Sequence, residues 1–205
     1  MSKLFLFDLD GVIFDSKKNM EKSWSEVNRK LKYNISFNKY FNEIGIPFEN
    51  ILKKLGINKK IKLAKKIFRN TSNKNIDLVR LYPGTKETIK ELKNKGIKIG
   101  IITSKEFSRA NRLLKKFKIS VLTIQCPKKG IRGKPNPDLL IRALKSIKEK
   151  KKDTYYIGDT FIDYKFARNA KINFIFANYG YGKVSNKSII RIKKISDLLL
   201  LASNI

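Results

Sequence analysis

Lys3-Leu4-Phe5-Leu6-Phe7-Asp8-Leu9-Asp10-Gly11-Val12-Ile13-Phe14-Asp15-Ser16 begins as an apolar run of strand type and then packs acid against glycine. Side chains two apart on a strand point to the same side, so Asp8 and Asp10 converge while Leu9 packs away from them. Two carboxylates that close repel each other unless positive charge sits between them, and a divalent cation with oxygen ligands meets that need. For a bare Asp-x-Asp, a strand end followed by an Asp-Gly turn is the commoner reason. The rest of the chain decides between the two.

At 205 residues the chain is long enough for a core of ordinary size, as one domain or one domain with an insertion. A hydrophobic content of 41% with 31% charged residues is that of a globular chain. No apolar run is long enough to cross a bilayer, and residues 1–16 lack the features of a secretory signal, so a cytoplasmic location without a membrane partner is expected. The single Cys126 leaves no internal disulfide. The net charge of +30 invites a nucleic-acid reading, because basic surface attracts phosphate backbones. Yet only nine of the 47 basic residues are arginine, and the lysines are spread along the chain together with abundant Ile and Asn. A solvated lysine surface set by A/T-rich codons accounts for this without a nucleic-acid partner, although it still helps to draw in an anionic substrate. With no histidine, Ser-His-Asp and Cys-His catalysis and histidine metal sites are excluded.

From Ser16, a helix N-cap by type, Met20, Trp24, Val27 and Leu31 form one helical face. Phe37, Tyr40, Phe41 and Ile44 repeat the pattern. Pro47 suits a first helical turn before Ile51, Leu52 and Leu55, and Gly56 stops that helix. Ile61, Ala64, Ile67 and Phe68 make another face, and Ile76, Val79 and Leu81 a shorter one, so 17–82 reads as helical with no strand. The aromatics around Phe37–Phe41 and Phe48 fit the core of this block better than a partner surface. After Tyr82-Pro83-Gly84 helix and strand alternate: a helix from Thr85 ended by Gly96, a strand Ile97–Thr103, a helix through Leu113 and Phe117, and a strand Val121–Gln125. Then follow a helix Asp138–Ile147, a strand Thr154–Ile157, a helix Ile162–Ala170, a strand Asn173–Ala177 and a closing helix over Ile189–Ala202. Strands separated by helices mean crossovers and a parallel sheet. The predicted fold is α/β, a doubly wound parallel sheet (1–16 and 82–205), with an all-α cap (17–81) inserted after the first strand.

In such a sheet ligands bind beyond the carboxyl ends of the strands, and the remaining polar motifs fall there. Thr103-Ser104-Lys105 ends a strand with a hydroxyl and main-chain N–H groups suited to phosphoryl oxygens, although polar strand ends are common. In Gly133-Lys134-Pro135-Asn136-Pro137-Asp138 two prolines stiffen the loop that presents Lys134, which suits the neutralising of charge on a phosphoryl group. Gly158-Asp159-Thr160-Phe161-Ile162-Asp163 turns from strand to helix and sets two acids four apart; either alone reads equally as a helix cap. Tyr179-Gly180-Tyr181-Gly182 reads as a flexible turn with no catalytic role.

The Asp8–Asp10 stretch, Thr103-Ser104-Lys105, Gly133–Asp138 and Gly158–Asp163, in this order, resemble the four motifs of the haloacid dehalogenase-like hydrolases, in the branch that resembles phosphoglycolate phosphatase. The likeness spans 1–16 and 82–182 and includes the Tyr-Gly-Tyr-Gly turn; Lys171 departs from it, standing where the family usually has Gly, which puts that helix end in doubt. The resemblance implies a magnesium-dependent phosphatase acting on a small phosphorylated metabolite. Asp8 would attack phosphorus and Asp10 serve as acid and base. Thr103, Ser104 and Lys134 would hold the phosphoryl group. The cation would be bound by Asp8, Asp159 and the main-chain carbonyl of Asp10, with Gly11, Gly158 and Asp163 supporting the site. A sugar phosphomutase would use the same aspartyl phosphate, and a nucleic-acid-binding protein without catalysis is the remaining alternative. Substrate and oligomeric state are not legible in the sequence.

Overall fold

The computed structural model describes residues 3–204. The chain runs β1 (Leu4–Phe7), β2 (Phe14–Asp15), α1 (Lys17–Leu31), α2 (Phe37–Phe41), α3 (Phe48–Lys54), α4 (Ile61–Lys74) and β3 (Arg80–Leu81). It continues as α5 (Thr85–Asn94), β4 (Lys98–Ile102), α6 (Phe107–Lys116), β5 (Thr123–Gln125), α7 (Asp138–Ile147) and β6 (Thr154–Gly158), and ends with α8 (Phe161–Ala170), β7 (Asn173–Ala177), β8 (Ile190–Ile192) and α9 (Asp197–Asn204). Six strands form a sheet in the order β5-β4-β1-β6-β7-β8, every pair parallel.

β1 is buried along its whole length, as a central strand of a parallel sheet must be. Its side chains alternate between two cores. Phe5 and Phe7 pack with Ile89 and Leu92 of α5 and Leu113 and Leu114 of α6. Leu4 and Leu6 pack with Leu140 and Leu144 of α7 and Phe166 of α8. Helices on both faces make the sheet doubly wound, as expected. None of the helices in the described residues is long and apolar enough to cross a membrane.

Helices α1–α4 surround a third cluster, in which Trp24 stacks on Tyr40 at 4.6 Å and Phe48 meets Phe68 at 4.7 Å. Phe37 and Phe41 are partly buried against it. The stretch 17–82 is not wholly helical, because β3 pairs antiparallel with β2 (Phe14↔Leu81, Asp15↔Arg80). A two-residue strand is too short for periodicity to show, and Ile76–Leu78 is a single 3-10 turn. Pro47 lies just before α3, with ψ of 140°, rather than in its first turn. The expected closing helix is also divided. The β-branched alternation of Ile190 and Ile192 makes the edge strand β8, and α9 starts only at Asp197, whose carboxylate accepts from the main-chain N–H of Lys193 and Lys194. Lys171 does end α8, in the left-handed conformation (φ 56°) that glycine more often takes.

Candidate active site

Register brings the motifs together. Phe7 is level with Ile101 of β4 and Ile157 of β6, so Asp8 leaves β1 between the ends of those two strands, where Thr103 and Asp159 follow. Asp8 is buried, and its main-chain N–H donates to the Ile157 carbonyl at 2.9 Å. Beyond it the chain turns at Gly11 (φ 83°), where a Cβ would lie 2.0 Å from an Asp159 oxygen. Only glycine fits between the two acids.

Lys134 enters from the loop before α7 with its side chain fully enclosed. Its Nζ lies 2.9 Å from Asp8 Oδ1 and 2.8 Å from Asp163 Oδ1. Burial alone would pull this ammonium down, but the Asp163 and Asp8 carboxylates outweigh it and hold the ammonium above its ordinary value. Asp163 has both oxygens engaged. Oδ1 also accepts from the Tyr156 hydroxyl at 3.1 Å, and Oδ2 accepts from the Thr160 N–H and hydroxyl, closing a capping box at the start of α8. Gly158 is required beneath it, since a Cβ there would come within 2.4 Å of the Asp163 Cβ.

Asp8 and Asp159 are the acids left short of positive charge. Burial pushes the Asp8 carboxyl up to about 7, against the opposing pull of Lys134. Asp159 is fully buried, and burial with the charges of Asp163 and Asp8 raises its carboxyl well above the usual range. Its Oδ2 accepts from the Tyr181 N–H at 2.7 Å, while its Oδ1 has no hydrogen-bond partner. Asp8 Oδ1 faces Lys134 as an ion pair but outside hydrogen-bond geometry. One oxygen each of Asp8, Asp159 and Asp163 lie within 4.8 Å of one another. An all-oxygen donor set with a buried orphan oxygen fits a hard divalent cation such as magnesium. With Asp163 already saturated, Asp8 and Asp159 have the capacity to hold it.

Asp10 lives differently. Its carboxylate is 2.7 Å from Lys105 Nζ and accepts from the Ser16 hydroxyl at 2.5 Å. Burial would raise it, but Lys105 and Ser16 together hold it below the usual carboxylate range. The carboxylate thus stands apart from the acid cluster of Asp8, Asp159 and Asp163. Ser16, by type an N-cap, gives α1 no side-chain cap because its hydroxyl serves Asp10. Thr103 is buried at the crevice with its hydroxyl accepting from the Lys105 N–H at 3.2 Å. Ser104 lines the crevice too, but its hydroxyl donates to the Gly45 carbonyl at 2.7 Å, across the seam to the helical block.

Arg109 is not singled out in the sequence, and Lys105 and Tyr181, quoted in their segments, are given no role there. The Tyr181 hydroxyl accepts from the Ser16 N–H at 2.6 Å and donates to Asp15 at 3.0 Å, so its loop holds both Asp159 and the start of α1. At Gly180 a Cβ would lie 2.3 Å from that of Asp159. Far from being a flexible turn, 179–182 is pressed against the site; the two glycines were the available signal.

The model of the family described as haloacid dehalogenase-like hydrolase matches residues 5–177. The phosphoglycolate phosphatase of Aquifex aeolicus is 26% identical over 211 residues, covering 98% of this chain and 97% of that protein. The pyrophosphatase PpaX of Bacillus mycoides is 28% identical over 216 residues, covering 98% and 96%. Among solved structures, a hydrolase from Pseudomonas syringae superposes with a TM-score of 0.88 at 23% identity, over all of this chain and 99% of the other, which shows a shared fold.

Proposed function

Since the chain belongs to the haloacid dehalogenase-like hydrolases, we propose that it is a magnesium-dependent phosphatase that hydrolyses a small phosphorylated metabolite through an aspartyl phosphate. One observation carries the reading: a buried Asp8 faces an enclosed Lys134 at 2.9 Å, beside an Asp159 whose second oxygen is unpartnered. A Asp8 oxygen attacks phosphorus and the bond to the leaving oxygen breaks, which splits hydrolysis into two easier steps. Asp10 protonates the leaving oxygen and then takes a proton from the water that cleaves the aspartyl phosphate. Held ionised by Lys105, it is ready for the second task, and the anionic phosphoryl group entering beside it supplies the charge that raises its carboxyl for the first. The Thr103 hydroxyl and the Lys134 ammonium hold phosphoryl oxygens. Asp8, Asp159 and the Asp10 main-chain carbonyl would hold magnesium, which when bound would supply further positive charge against the phosphoryl group.

In this reading residues 17–81 are a cap, roofing the crevice with Met20, Tyr40, Ile44 and Ile51 and excluding water, while 1–16 and 82–205 form the catalytic core. The phosphoglycolate phosphatase and PpaX relatives put phosphoglycolate and pyrophosphate first among the substrates to be tried. The test is phosphate release from a panel of both, with sugar phosphates and nucleotides, with and without magnesium, beside Asp8→Asn. Release that requires magnesium and vanishes in the variant is expected; a turning-over Asp8→Asn enzyme would contradict the mechanism.

A further inference from the structure

The chamber over Asp8 and Asp10 has a volume of about 70 Å³. A groove of about 380 Å³, bordered by Phe48, Phe68 and the loop at Pro127, lies next to it, and Lys105 and Arg109 line both. Lys105, in the turn after β4, has its side chain only 5% exposed and reaches Asp10 at 2.7 Å. Arg109, in the first turn of α6, has its guanidinium 5.3 Å from the centre of the Phe68 ring and donates one N–H to the Ser72 hydroxyl at 2.7 Å. The nearby carboxylates Glu49 and Glu106 are engaged by Lys65 at 3.0 and 2.9 Å. Among the described residues no carboxylate forms an ion pair with Arg109, although Asp10 and Glu106 lie near enough to act on its charge.

A guanidinium has five N–H donors; Arg109 lines the crevice and, among the described residues, has the Ser72 hydroxyl as its hydrogen-bond acceptor and no carboxylate as an ion-pair partner. The Lys105 side chain is almost wholly buried and Arg109 partly so, which leaves both charges short of water. They also stand at the N-terminal end of α6, where the helix dipole adds to the positive potential instead of offsetting it. Two such cations gain most from an anion that joins them. Position says which anion. If Asp10 protonates the leaving oxygen, the atoms one or two bonds beyond it would come toward Lys105, 2.7 Å from that carboxylate, and Arg109 in the same lining.

We propose that Lys105 and Arg109 form a subsite for a second anionic group, so that the enzyme selects short phosphoryl compounds whose leaving group ends in a carboxylate or phosphoryl oxyanion over esters of neutral alcohols. The proposal rests on the phosphatase reading above. Arg109 is then a specificity residue that grips the leaving group, and the phosphoryl group itself is held elsewhere, by Thr103 and Lys134.

The test compares kcat/KM for 2-phosphoglycolate, pyrophosphate and 2-hydroxyethyl phosphate, in which a hydroxymethyl replaces the carboxylate, for the wild type, Arg109→Gln and Arg109→Lys with magnesium. The wild type is expected to favour one anionic substrate by about 10- to 100-fold, as befits one charged hydrogen-bonding site. Whichever leads identifies the group as carboxylate or phosphoryl. Arg109→Gln should erase most of this preference, chiefly through KM, and Arg109→Lys should restore part of it. Equal use of all three by the wild type would overturn the subsite and leave the phosphatase standing. So would an equal loss on all three in Arg109→Gln, which would make Arg109 a strut to Ser72. Silence on every substrate, p-nitrophenyl phosphate included, would overturn both. Should Arg109→Gln fail to fold by thermal melting, the wild-type preference and Arg109→Lys decide.

Discussion

The floor and the roof of the crevice are built on opposite plans. On the floor, at the ends of β1, β4 and β6, charged groups are set against one another, with Lys134 between Asp8 and Asp163, Lys105 on Asp10, Asp159 without a cation, and glycines where a Cβ would collide. The roof, from α1–α4, is apolar and aromatic, with Met20, Tyr40, Ile44 and Phe68 facing the acids. In the proposed reading the strand ends hold the phosphoryl group whatever is attached to it, the roof meets only what is attached, and Lys105 with Arg109 stands at the edge between them. The contrast teaches that the groups for reaction sit on the strand ends, while selectivity is shared between the roof and that edge.

The sharpest way to break that division is Asp8→Asn, which should lower kcat by about 10⁴-fold or more on every substrate, read as phosphate release. Lys134→Met should cost about 10²- to 10³-fold in kcat. Its loss should be uniform across substrates, unlike that of Arg109→Gln, and a loss confined to some of them would mean that Lys134 discriminates as well. Ile44→Ala, on the roof, should shift kcat/KM by about tenfold at most, unequally among substrates, as competition between two esters would show. The smallest effect concerns pH. Asp8 titrates near 7 in the folded protein against 3.8 for its ordinary value, so it binds its proton more tightly folded. That contribution to stability is present at low pH and is lost as pH rises from 3.8 through 7. Without metal, the melting temperature of the wild type should therefore fall relative to Asp8→Asn between pH 5.5 and 8; parallel curves would show that Asp8 is not held this way.

The floor was largely legible and the roof was not, for a physical reason. Asp8, Thr103 and Asp159 each follow an apolar run at a strand end, and local punctuation marks the turns at Asp8 and Asp159 and the Lys134 loop: Gly11, Gly158, the prolines around Asn136. What escaped notice depends on partners far along the chain. Ser16 reads as a cap until the Tyr181 loop and Asp10 are folded against it. Arg109 is one basic residue among 47 until Phe68 and Ser72 come over it. β2 and β3 are too short to leave a period. Lys171 shows composition at work: Lys32, Lys118, Lys148 and Lys171 all take left-handed backbone at helix ends, so in this lysine-rich chain the absence of glycine does not erase a stop.

The β2–β3 ribbon sets the terms on which the roof is attached. Phe14 and Leu81 are paired neighbours, so the chain leaves the sheet and returns at one point. To the strands, everything between is a loop of zero span, and lengthening such a loop adds little closing entropy, about 0.6 kcal/mol for each doubling. A segment held at one point by its own paired ends can be traded for another of different size without moving a strand, so the same chemistry can be readdressed to a new molecule by changing one insert.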